Sequence, residues 1–139
     1  ETASKPFSNI DLSGKKVLLC EDNVLNREIA IAIIREKGIT AVTAEDGEIG
    51  VQKFSESAAG EFDAILMDIR MPVMDGYEAT RQIRAMNRPD AVTVPIIAMT
   101  ADAFEDDIQK CLNSGMNGHI AKPIDPELLN IELSKAFSR

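Results

Sequence analysis

No run of apolar residues in this sequence approaches the ~20 needed to cross a bilayer, and no basic-then-apolar leader opens it. No membrane contact is therefore expected of this segment. A glycine-rich phosphate loop is also missing, since Gly47 and Gly50 fit no phosphate-cradling spacing. The two cysteines, Cys20 and Cys111, lack metal-ligand spacing; they read as buried free thiols and suit a reducing, cytoplasmic setting. Basic residues are the scarcer charge, 15 against 23 acidic, for a net charge of −8. Such a surface repels a phosphate backbone, which argues against nucleic acid as a direct partner. There is no 20–50-residue repeat and no low-complexity tract.

What is present is an ordinary globular composition of one-domain length, 139 residues. Residues 1–14 are polar, aperiodic and carry Pro6 and Gly14, so they read as a linker or tail of a segment cut from a longer protein. Residues 15–139 then alternate five times between a short apolar run and a helical pattern. The expected strands are Val17 to Cys20, Ile39 to Ala44, Ala64 to Met67, Val94 to Met99 and His119 to Ala121. Asn23 to Lys37 make the first helix, with Gly38 beyond its end. The second starts near Asp46 with Val51, Phe54 and Ala58 at helical spacing. Asp75 to Glu78 and Asp102 to Glu105 both read as N-caps with glutamate three residues on. The inner faces would be Ala79, Ile83 and Met86, then Phe104, Ile108, Cys111 and Leu112. Asp125-Pro126 starts the last helix, with Leu129, Leu133 and Phe137 inward. Apolar strands alternating with helices predict an α/β fold, a doubly wound parallel sheet with helices on both faces.

The strand ends carry the chemistry. The first stops at Glu21-Asp22, the third at Asp68, the fourth at Thr100 and the fifth at Lys122-Pro123. A reversal of strand order between the first and third would gather Glu21, Asp22 and Asp68 in one crevice. At ~4 Å and an effective dielectric of about 20, each carboxylate pair costs about 4 kcal/mol. Three pairs approach a domain's whole stability of ~5–15 kcal/mol. Either a carboxylate stays protonated or a hard cation binds, Mg²⁺ being the natural one. Lys122 supplies a fixed positive charge expected to keep Asp68 ionised, and Thr100 a hydroxyl donor. A nucleophilic carboxylate, a metal site, a lysine and a hydroxyl together describe phosphoryl transfer to an aspartate.

Five segments in order, Glu21-Asp22-Asn23, Asp68-Ile-Arg-Met-Pro72, Asp75-Gly76, Met99-Thr100-Ala101 and Ala121-Lys122-Pro123, resemble the receiver domain of two-component response regulators. The resemblance covers about residues 15 to 137. It implies a flavodoxin-like fold, five parallel strands in order 2-1-3-4-5 flanked by five helices, and a cis peptide at Lys122-Pro123. It makes Asp68 the phosphoacceptor, with Glu21, Asp22, Asp68 and the Arg70 backbone carbonyl serving Mg²⁺ (or Mn²⁺). Thr100 and Lys122 would contact the phosphoryl group. The donor would be a histidine kinase or histidine phosphotransfer domain, and the segment would catalyse its own phosphorylation and dephosphorylation.

The runs Glu21-Asp22-Asn23-Val-Leu-Asn26-Arg27, Met71 to Thr80 and His119 to Ile124 resemble, more narrowly, receivers fused to hybrid sensor histidine kinases. A stand-alone regulator is the alternative within the family. An aspartate-based Mg-dependent phosphatase is the alternative outside it, but such an enzyme wants an acid where Arg70 stands. His119 occupies a position that is Tyr or Phe in many receivers, and is either a partly buried ring or a readout group. Arg70 and Asp102 are expected to rim the site. The first helix is apolar on two sides: Ile29, Ala30, Ile33 and Ile34 would face inward, while Leu25, Ile31 and Ala32 would form a docking patch.

Overall fold

The computed structural model describes the backbone over residues 11–101 and 105–137, and side chains over 11–101 and 107–137. Five parallel strands form one sheet: β1 (Lys16–Cys20), β2 (Thr40–Ala44), β3 (Ala64–Asp68), β4 (Ile96–Thr100) and β5 (Gly118–Ala121). Their spatial order is β2-β1-β3-β4-β5. The chain thus reverses direction across the sheet between β1 and β3, where Cys20 pairs with Met67. A crevice opens at such a point beyond the carboxyl ends of the strands.

Alternation along each strand divides the interior into two layers. Leu18, Cys20, Ile65, Met67, Ile96 and Ala98 point to one face. Helices α2 (Gly47–Glu56), α3 (Gly76–Arg84) and α5 (Glu105–Ser114) cover that face, with Phe54, Ala79, Ile83 and Cys111 against it. Val17, Leu19, Leu66, Ile97 and Met99 point to the other, under Ala30 and Ile34 of α1 (Val24–Glu36) and Leu129 and Leu133 of α6 (Pro126–Phe137). Burying each of the larger side chains among them, the valine, leucines, isoleucines, methionines and phenylalanine, contributes about 1.5–3 kcal/mol. Apolar residues on both faces of a five-residue strand are what two covered faces require.

The helix starts follow side-chain chemistry. Asn23, Asp46 and Asp75 accept hydrogen bonds from the backbone N–H of Asn26, Ile49 and Glu78 at 2.9, 2.8 and 2.9 Å. Glu78 does not complete a reciprocal box, because its carboxylate is taken by Arg81 and Gln82. Gly38 ends α1 with φ +80°, a left-handed conformation natural to glycine.

Several expectations are corrected. A sixth helix, α4 (Pro89–Thr93), precedes β4. Pro89 starts it, and Arg88 lies over the Phe54 ring and donates to the Phe54, Ser57 and Ala58 carbonyls and the Asp90 carboxylate. Ala58 lies beyond the end of α2 and is exposed, because the chain leaves the helix at Ser57. Leu112 on α5 is exposed rather than inward, and Cys111 and Ser114 hold the buried side. Asp102 and Phe104 lie outside the described residues. Packing also begins earlier than residue 15: Leu12 is buried in the same core layer as Ile39 and Ala136, and the Gly14 N–H donates to the Gly38 carbonyl.

Candidate functional site

The strand tips converge as the alternation predicts. Asp68, the last residue of β3, is 3 % exposed, and Glu21, one past the end of β1, is 1 % exposed. Asp22 beside it is open to solvent. One carboxylate oxygen each from Glu21, Asp22 and Asp68 lie within 4.8 Å of one another. Lys122 follows β5 directly, and its Nζ stands 3.0 Å from Glu21 Oε1 and 3.0 Å from Asp68 Oδ2. Thr100, the last residue of β4, is buried and lines the same cleft of about 240 Å³ with Asn23, Arg70 and Ala101. The peptide between Lys122 and Pro123 is cis.

The turns that carry these residues are held closely. An ideal Cβ at Gly76 would stand 2.2 Å from the Asp68 carbonyl oxygen, and the Gly76 N–H donates to the Ile69 carbonyl at 2.8 Å. Only glycine lets the start of α3 approach the end of β3 this far. The Arg70 N–H points back to Asp68 Oδ1 at 3.4 Å, which folds the loop over the carboxylate. In the β1–α1 turn, Glu21 Oε2 accepts from the Asn23 N–H at 3.1 Å, and Arg27 Nη1 donates to the Glu21 carbonyl at 2.9 Å.

Electrostatics depart from one expectation. Lys122 does not keep Asp68 fully ionised: burial pushes the Asp68 carboxyl up to about 7, and the neighbouring Glu21 charge adds to the rise against the pull of Lys122. One ammonium is divided between two carboxylates, so neither is fully compensated. For Lys122, burial alone would lower the ammonium, but hydrogen bonds and charge from Asp68 and Glu21 outweigh it and raise its pKa. The three clustered carboxylates are hard oxygen donors in the arrangement a divalent cation takes, so the residues present fit one.

The chain's other candidates scatter. His119 is half-buried in the middle of β5, opposite Ala98. Arg70 is exposed at the cleft rim, as expected; Asp102, its expected companion, is not among the described residues. On α1, Leu25 is 68 % exposed and Ala32 is exposed, but Ile31 is half-buried against the core layer beside Ile34. Ile29, expected inward, is instead 41 % exposed. The helix is rotated so that Ala30 and Ile34 face the sheet, which turns Ile29 and Leu25 outward together and Ile31 toward the flank. Ile29 also borders a groove with Asn26, Pro123 and Ile124 beside Lys122. Sequence reading missed this continuity between α1 and the Lys122-Pro123 turn.

Comparison with known proteins decides the family. A family model described as the response regulator receiver domain matches residues 17–134. The chain belongs to that family. It is a receiver domain of a two-component phosphorelay. Among curated relatives, it is 38% identical to a hybrid signal transduction histidine kinase of Dictyostelium discoideum over 127 residues, covering 86% of this chain but 7% of that protein. A two-component response regulator of Oryza sativa subsp. japonica is 41% identical, covering 86% of this chain and 92% of that one. Receivers of both architectures are therefore among its relatives, and the chain spans only a small part of the hybrid kinases it matches.

Solved structures agree. The receiver domain of a Pseudomonas aeruginosa sensor histidine kinase, crystallised with a magnesium ion coordinated in its active-site cleft, is 39% identical with a TM-score of 0.82, covering 91% of this chain and all of that one. The receiver domain of the Saccharomyces cerevisiae response regulator Ssk1, crystallised with the histidine phosphotransfer protein Ypd1, is 30% identical with a TM-score of 0.78, covering 89% of each chain. Among the described residues no helix is long and apolar enough to cross a membrane.

Proposed function

We propose that this segment is the receiver module of a larger hybrid histidine kinase, joined to it by a linker that ends before Leu12, and that Asp68 accepts a phosphoryl group from a phosphohistidine. The observation that carries this reading is the convergence of Asp68, Glu21 and Lys122, with Lys122 Nζ 3.0 Å from each carboxylate. An aspartate buried with one ammonium and two further carboxylates nearby is a nucleophile prepared for an anionic substrate and a cation together.

Glu21, Asp22 and Asp68, with the backbone carbonyl of Arg70, would hold Mg²⁺ or Mn²⁺, both of which favour oxygen donors. When bound, such a cation screens the carboxylates from the phosphoryl oxygens and neutralises charge that develops on them. Asp68 supplies the attacking oxygen: its bond to phosphorus forms as the phosphorus–nitrogen bond to the partner histidine breaks, and the bonding pair returns to the imidazole nitrogen. Lys122 loses none of its charge in the step and moves its pairing from the Asp68 carboxylate to the phosphoryl oxygens. The Thr100 hydroxyl donates to another of those oxygens. Positioning accounts for most of the acceleration, because the loose transition state asks little covalent chemistry of the protein. New charge on Asp68 then draws Thr100 and Lys122 inward and biases the loops after β3, β4 and β5. His119, Arg70 and Asp102 would modulate the result from outside the reacting atoms.

The donor is a histidine kinase or a histidine phosphotransfer domain, and the exposed apolar residues of α1 beside the cleft support docking there. Incubation with a small-molecule phosphodonor and Mg²⁺ followed by intact-mass measurement tests the core of the reading. One added phosphoryl on the wild type and none on Asp68→Asn is the expected result. Equal labelling of both proteins rules Asp68 out.

A further inference from the structure

Glu21 is held by four contacts that come from four parts of the chain. Its N–H donates to the Ala44 carbonyl of β2 at 3.0 Å. Its carboxylate receives the Asn23 N–H at 3.1 Å and Lys122 Nζ at 3.0 Å. Its carbonyl receives Arg27 Nη1 at 2.9 Å. The first three are accounted for by the sheet, the local turn and the reacting centre. The fourth reaches back six residues from the first turns of α1, and neither fold nor phosphoryl chemistry explains it so far.

That carbonyl sits on the peptide joining Glu21 to Asp22. Rotating this peptide swings the Asp22 side chain relative to Glu21 and Asp68, whereas fixing it fixes the spacing of the three oxygens. We propose that Arg27 is a positioning residue of the cation site: its guanidinium clamps the Glu21–Asp22 peptide so that both carboxylates keep the geometry a divalent ion needs. The proposal rests on the reading that Glu21, Asp22 and Asp68 take Mg²⁺. Glu21 is 1 % exposed, so its carbonyl has little access to replacement water when the guanidinium is removed. A partner one shell out from the ligands commonly alters metal affinity 10–100-fold.

The sign of the effect separates positioning from simple electrostatics. Arg27 is a cation close to a cation site, so as a bare charge its removal should tighten Mg²⁺ binding. As a clamp its removal should weaken it. A purely structural role would lower the melting temperature and leave the affinity of the folded protein alone.

The test is calorimetric titration of the metal-free protein with MgCl₂, for wild type, Arg27→Met and Arg27→Lys, with circular dichroism confirming the native fold. Arg27→Met keeps the stem but no donor, and its dissociation constant should rise about 10-fold. Arg27→Lys keeps the charge, on a shorter stem and with one donor nitrogen in place of the guanidinium's three, and should fall between, weaker by about 3-fold. Affinity equal to or tighter than wild type in a folded Arg27→Met overturns the proposal. Should Arg27→Met not fold, Arg27→Lys decides, and an unchanged dissociation constant there overturns it equally. Absence of Mg²⁺ binding by the wild type would instead remove the reading of the site itself, a separate result.

Discussion

Asp68 combines a buried carboxylate, a shared ammonium and a second acid, and its charge is costly. Its pKa near 7 in the folded chain, against 3.8 for the ordinary group, means that the folded state holds a proton the unfolded state has released. Stability from this group is complete below pH about 4 and is lost as pH rises through about 7. In the presence of a chelator, Asp68→Asn should therefore be more stable than wild type at pH 8, by about 2–4 kcal/mol. The advantage should shrink as pH falls toward the ordinary 3.8 and vanish at about pH 3, where both states of the wild type carry the proton. Denaturant titrations at pH 8 and about pH 3 check this, and a gain that is equal at both would show that Asp68 does not titrate as described. Gly76 makes the second prediction at this scale. A methyl there would overlap the Asp68 carbonyl oxygen, 2.2 Å from the ideal Cβ, so the start of α3 or the end of β3 must shift. Gly76→Ala should cost about 1–3 kcal/mol or more, and should slow phosphorylation of Asp68 beyond what the stability loss explains. Phosphorylation measured well below the melting temperature separates the two effects.

Among the elements, α1 stands out because it serves two surfaces. Ala30 and Ile34 bury one side against the sheet, while Leu25 and Ile29 stay 68 % and 41 % exposed on the other. Ile29 continues into the groove bordered by Pro123 and Ile124, one residue from the reacting lysine. A helical phosphodonor laid on this strip would bring its histidine toward Asp68. Ile29→Asp and Leu25→Asp should each slow transfer from a phosphorylated histidine phosphotransfer protein by about 10-fold or more. Labelling by a small-molecule donor should stay unchanged, since that route needs no docking. Equal rates with the protein donor would place the contact elsewhere. The orientation of this helix was the least legible feature of the sequence. Its apolar residues, Val24, Leu25 and the unbroken run Ile29 to Ile34, satisfy more than one stripe, and Ile29 and Ile31 differ by only two positions; which one turns outward depends on the strands beneath. The helix α4 was also missed, since five residues give no period to read, and it forms because Pro89 starts a turn that Arg88 ties to the end of α2.

At the scale of the whole molecule, the parallel sheet and the identity of the site residues were readable because four of the five strands are apolar runs that stop abruptly at polar residues, whereas the strand order followed only from the family resemblance. Glu21, Asp68, Thr100 and Lys122 mark those four endings, and parallel strands put such endings at one edge. What could not be read was the protonation of Asp68, which depends on burial depth and on Lys122 being divided between two acids. The Arg27 bond to Glu21 was equally hidden, although a long basic side chain one turn into a helix that follows a strand-end acid is a usable signal. A cation bound only by the folded chain adds stability by mass action, so the unfolding midpoint should climb with Mg²⁺ concentration for the wild type and scarcely for Asp68→Asn. Four strands, drawn from positions 16 to 121, must be side by side before the centre exists at all. No fragment lacking one of them can be labelled on Asp68, and capacity to take up phosphate should disappear in urea along the same curve as the far-ultraviolet signal, making chemical competence a gauge of how much of the population is native.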